Sequence, residues 1–91
     1  MLTNVMEEII SGLVAVLLRG SEYQTFCKCS KCEMDIVALS LNSVPSQYVT
    51  SAFGREAAFN QLNSPENLEW INKRIIHAIH VVGKYPKHPP L

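Results

Sequence analysis

Apolar residues return along the chain at three- and four-residue intervals, which is the spacing of helices with one buried face. Between Asn4 and Gly20 the stripe is Met6, Ile10, Leu13 and Leu17. Val5, Ile9, Val16 and Leu18 carry apolar character far round the other sides, so this helix is expected to be buried nearly all round. Asn4 with Glu7 three residues on has the form of a capping box, and Gly20 is a natural stop. A second helix is expected to open at Ser30, with Glu33 completing another capping box, and to close at Asn42-Ser43 ahead of Pro45. Its apolar face reads as Met34, Val37, Leu41 and Val44, broadened by Ile36, Ala38 and Leu39.

Past Pro45 the pattern weakens. Residues 45–54 read as irregular, with Tyr48 and Phe53 as aromatic anchors, and residues 54–63 as a short helix around Glu56, Ala57 and Ala58. Ser64-Pro65 is a clear helix start, an N-cap followed by proline in the first turn. From there Leu68, Ile71, Ile75, Ala78 and Val82 mark one face, Gly83 ends the helix, and residues 83–91 form a proline-rich tail. No stretch shows the alternation of a strand. The fold class is therefore all-α, three to four helices in a single domain over residues 1–91.

A 91-residue chain that is 47% hydrophobic has more apolar side chains than a small monomer can hide, which points to an intertwined or packed homodimer. Eight basic and eight acidic residues give zero net charge, against a general nucleic-acid binder. The apolar run from Ile9 to Leu18 follows Glu7 and Glu8 rather than basic residues and is too short to span a bilayer. The expected compartment is the cytoplasm, and membrane contact is not expected.

The chemistry concentrates in Cys27, Cys29 and Cys32, a C-x-C-x-x-C set just before and inside the first turn of the second helix. Helix-terminal N–H groups favour thiolates there, and Lys28 and Lys31 act in the same sense. Clustered thiolates suit a soft cation, so the set reads as three ligands of a structural zinc. Candidates for the fourth are His77, His80, His88, an acidic group or a second subunit; a histidine of the last helix is favoured, and His77 completes the predicted set. A redox-active Cys29/Cys32 pair and incidental thiols are the other readings. Asp35 sits where a helix dipole favours a carboxylate, and no partner makes it catalytic. No glycine-rich phosphate loop, nucleophile elbow or carboxylate pair is present, so an enzyme is not expected. Lys31, Gln47, Tyr48, Arg55 and Arg74 offer the cations and aromatic ring that a nucleotide site uses, although alone they are ordinary surface residues.

Four stretches in combination resemble the late-competence ComFB family of small bacterial proteins. They are Asn4–Ile10 (N-V-M-E-E-I-I), Cys27–Cys32 (C-K-C-S-K-C), Asp35–Asn42 (D-I-V-A-L-S-L-N) and Pro45–Thr50 (P-S-Q-Y-V-T). The resemblance implies a helical homodimer with a cysteine-bound zinc and no catalytic activity. It also implies a role as receptor for a cyclic dinucleotide, chiefly cyclic di-GMP; such a receptor, having no catalytic groups of its own, is expected to act through a downstream protein. The family's cysteine motif falls on Cys27, Cys29 and Cys32. The chain departs from the family in lacking the fourth thiolate that some members carry near the C-terminus. It also has Gln47 where many have a basic residue before the tyrosine of the turn. Two other functions stand beside the receptor: a zinc-stabilised structural or adaptor protein of the competence machinery without a small ligand, and a thiol redox sensor.

Overall fold

The computed structural model describes residues 1–84; the tail beyond Lys84, with His88, lies outside the described residues. Four helices carry the fold: α1 (Val5–Leu18), α2 (Ser30–Asn42), α3 (Ala52–Leu62) and α4 (Pro65–Lys84). A short 3-10 turn, Ser21–Tyr23, follows α1. The expectation of no strand needs one amendment. Thr3–Asn4 (β1) and Tyr48–Val49 (β2) pair antiparallel, Thr3 opposite Val49 and Asn4 opposite Tyr48. Two residues a side are too few to show a period, which is why the pairing left no sequence signal.

The helix starts are set by side chains. Asn4 caps α1, its Oδ1 accepting from the Met6 N–H at 3.2 Å and also from the Gln47 N–H at 2.8 Å. One amide thus closes the helix and holds the turn after α2 against it. Ser51 caps α3 by accepting from the Gly54 N–H at 3.0 Å. Ser64 Oγ accepts from the Asn67 N–H at 3.4 Å at the start of α4, as the Ser-Pro signal predicted. The cap of α2 is Cys29 rather than Ser30: its sulfur accepts from the Cys32 N–H at 3.4 Å, and Ser30 is already helical.

The main core joins Ile10 and Val14 of α1, Cys32 and Ile36 of α2, and Ile71, Ile75 and Ile79 of α4. A second cluster, Val5, Ile9 and Ala58, fastens α3 to α1. Burial of α1 is less complete than its composition suggests, since Val16 is two-thirds exposed. The inward face of α2 only partly overlaps the one its periodicity marks: Ile36 is in the core and Val37, Leu39, Leu41 and Val44 pack against it, but the fully buried line lies to one side of the stripe. Cys32, Ile36 and Ser40 are buried, whereas Met34 is 69% exposed and Val37 and Leu41 are half-buried. One of the three fully buried residues is a serine, so that line reads weakly in hydropathy.

Tyr48 and Phe53, expected as anchors, are exposed at 60% and 84%. Gly83 does not end α4, which runs on to Lys84. Its role is close approach: a Cβ there would lie 2.6 and 2.7 Å from the Cδ2 and Cε2 of Phe26. Among the described residues no helix is long and apolar enough to cross a membrane.

Candidate metal centre and ligand surface

The three cysteine sulfurs lie within 4.8 Å of one another, the one group of three or more potential metal ligands among the described residues. Sulfurs bound to one tetrahedral zinc at 2.3 Å stand about 3.8 Å apart, so small side-chain rotations close the set around an ion. Each cysteine is placed differently. Cys27 is half-buried on the segment leading into α2, Cys29 is exposed as the helix cap, and Cys32 is buried one turn in.

Their acidities divide accordingly. Hydrogen bonding from the Cys29 backbone N–H, and then from the Cys29 and Cys32 thiols, holds the Cys27 thiol below its ordinary range. Burial pushes Cys32 up to about 12, and its thiol contacts with Cys27 and Cys29 add to the rise. A bound cation would displace the proton from each ligating thiol and offset the thiolate charge that burial otherwise disfavours. The donor set therefore fits zinc, with one tetrahedral position left for a further donor.

His77, expected to be that donor, lies on the outer side of α4 with Trp70, Lys73 and Arg74. His80 is the histidine that packs towards the cysteine segment. Its ring stands edge-on to Phe26 and Tyr23, with centroids at 5.7 and 6.1 Å, and Tyr23 and Phe26 are themselves edge-on at 5.3 Å. This aromatic cluster beside Cys27 was not legible as a unit, since its members lie on two elements far apart in sequence. Gly83, tight against Phe26, was the residue that could have signalled it.

The residues predicted for a nucleotide do not converge on one place. Gln47 and Tyr48 share the turn after α2, where the Gln47 carbonyl accepts from the Val5 N–H at 2.7 Å. Tyr48 borders an open concavity of about 440 Å³ shared with Leu2, Thr3, Asn4, Glu7 and Glu8. Arg55 of α3 reaches the same side of α1 but is held by Glu8, its Nε 2.9 Å from Oε2 and its NH2 nitrogen 3.0 Å from Oε1. This two-pronged pairing raises the guanidinium pKa further above its already high value, through the hydrogen bonds and then the charge of Glu8. Lys31 is paired with Asp35 at 2.8 Å near the start of α2, and Arg74 stands apart on α4. Sequence reasoning missed Glu8, because its partner lies 47 residues away.

The model of a protein family described as late competence development protein ComFB matches residues 3–86. Among solved structures, the late competence protein ComFB from Bacillus subtilis is similar at 25% identity over 96% of this chain and 96% of that chain, with a TM-score of 0.77. No curated protein matches the chain.

Proposed function

The chain belongs to the late competence development protein ComFB family, and from that premise we propose that it is a non-catalytic receptor for a cyclic dinucleotide, cyclic di-GMP foremost. In this reading it works in the cytoplasm as a homodimer and signals through a protein partner. The observation that carries it is the setting of Tyr48. The turn Pro45–Thr50, one of the stretches that resemble the family, is clamped to α1 by Asn4 and by the short strand pair. That clamp fixes the backbone while leaving the Tyr48 ring 60% exposed beside a concave surface. A ring so presented is a stacking platform for a base.

Arg55, on the same side of the molecule, is the cation for a phosphate, and a bound phosphate would take the place of the Glu8 carboxylate. A dinucleotide of two-fold symmetry suits a dimer of two-fold symmetry. Binding signals only if its contacts differ between two states of that dimer. Cys27, Cys29 and Cys32 would hold zinc as a staple fixing the start of α2, at the end of that helix remote from the turn.

Calorimetric titration with cyclic di-GMP, with cyclic di-AMP and GTP as controls, tests the reading. Saturable binding of a cyclic dinucleotide is expected, weakened roughly tenfold or more by Tyr48→Ala. Absence of heat and of thermal stabilisation with all three ligands would remove the receptor. The cysteine cluster favours a second reading, a zinc-stabilised adaptor of the competence machinery with no small ligand. Unfolding on chelation with no response to any nucleotide is its signature.

A further inference from the structure

Part of the apolar surface of α2 stays uncovered: Met34 and Ala38 are exposed, and Val37 and Leu41, which pack against the core, are only half-buried. Residues Met34, Val37, Ala38 and Leu41 follow one another down the outer side of that helix and form the floor of an open groove of about 440 Å³. Across it stand Glu7 and Ser11 of α1, and Glu33 borders it on α2. Both charged residues that line the groove are acidic. Lys31, one turn before Asp35, is drawn to that carboxylate.

We propose that this groove docks a basic amphipathic helix of a partner protein. An amphipathic helix lays apolar residues at i, i+3, i+4 and i+7 into such a groove, and the α2 stripe from 34 to 41 runs for about two turns alongside it. Met34, 69% exposed, gives the floor an unbranched, adaptable side chain of the kind that accepts varied apolar knobs. Charge selects the occupant. Lysines or arginines flanking the apolar stripe of the incoming helix would meet Glu7 and Glu33, whereas two copies of this groove facing each other would oppose acidic rims. The inference concerns the output surface and does not depend on a dinucleotide being bound.

The experiment uses the full chain and a fluorescent helical peptide of leucine and lysine, roughly eighteen residues or five turns long, with a leucine/glutamate peptide of the same pattern as control. Anisotropy should show saturable binding of the lysine peptide, falling as salt rises, and far weaker binding of the glutamate peptide. Met34→Lys and Glu33→Lys should each weaken the lysine peptide about tenfold or more, with amide shifts in the parent protein concentrated in residues 7–11 and 30–41. Met34 is exposed and Glu33 half-buried; circular dichroism and melting establish that each variant is folded, and either folded variant carries the test should the other not fold. Equal affinity for both peptides, no binding, or binding untouched by the folded variants overturns the proposal. So does conversion of a dimer to monomer by Met34→Lys in sedimentation, because the groove would then be a contact between copies.

Discussion

The two ends of α2 are built on opposite principles. At its start, Cys32 is buried, Phe26 lies against Gly83 with no room for a further carbon, and Tyr23 and His80 close round the same ring. At its far end the turn is held by polar clamps, the Asn4 side chain and the Thr3–Asn4/Tyr48–Val49 pair, with the Arg55–Glu8 bridge on the neighbouring helices. There the large aromatic residues Tyr48 and Phe53 face outward. A packed end resists change because interiors have no slack, whereas a clamped end can exchange one polar partner for another. Substitutions at the first should therefore register in stability, and those at the second in binding.

The largest effect is expected from the metal. Chelation of the zinc-loaded protein should cost on the order of several kcal/mol, read as a fall in melting temperature, because binding energy at a structural zinc site is folding energy. Cys29→Ser separates the two roles of that residue. In the loaded protein it should destabilise by removing a ligand; in the metal-free protein it should be neutral or slightly stabilising, since serine is a strong helix N-cap. Equal behaviour of the loaded and metal-free forms would mean that the cysteines hold no structural ion.

Next is Gly83→Ala. A methyl group 2.6 Å from the Phe26 ring forces that ring, and with it the contacts to Tyr23 and His80, to move. A cost of about 1–3 kcal/mol in denaturant unfolding is expected, the range for overpacking. If the position were only a helix terminus, alanine would be neutral or stabilising there, so the sign alone decides.

The four helices, their order and the family were legible because each rests on local signals: Asn4, Ser64-Pro65, the isoleucine stripe of α4, and the four stretches that resemble ComFB proteins. The cysteines also showed where they would gather, since six residues hold all three. What escaped depends on distance or on weak contrast. The fully buried line of α2 includes Ser40, which hydropathy ranks below the exposed Met34 and the half-buried Leu41. The Arg55–Glu8 bridge and the Phe26–Gly83 contact join residues separated by most of the chain. No window of sequence contains both members of either pair.

A smaller loss is expected at the clamped end from Asn4→Ala. One side chain there caps α1 and accepts from the Gln47 N–H, so its removal should cost about 1–2 kcal/mol. The comparison is sharpened by where the damage falls. Hydrogen exchange should rise in residues 45–50 and at the start of α1 while the amides of Cys32 and Ile36 stay protected. Loss of protection throughout would mean that the two ends of α2 do not behave separately.

The finest distinction comes from Glu8→Gln. The carboxylate holds Arg55 on an exposed surface, so its loss should leave the melting temperature essentially unchanged. Affinity should respond instead. A phosphate that binds Arg55 has to displace Glu8 and also approach its negative charge, along with that of Glu7 nearby. Replacing the carboxylate by a neutral amide removes both obstacles, so affinity for cyclic di-GMP should rise by roughly threefold to tenfold at low salt, and the gain should shrink as salt screens the repulsion. Arg55→Ala should weaken binding in either background, and more in the Glu8→Gln protein, where the guanidinium is free to serve the ligand. Identical binding isotherms for the parent, Glu8→Gln and Arg55→Ala proteins would place any ligand away from this bridge. The Arg55–Glu8 pair would then be a clamp between α1 and α3 and nothing more.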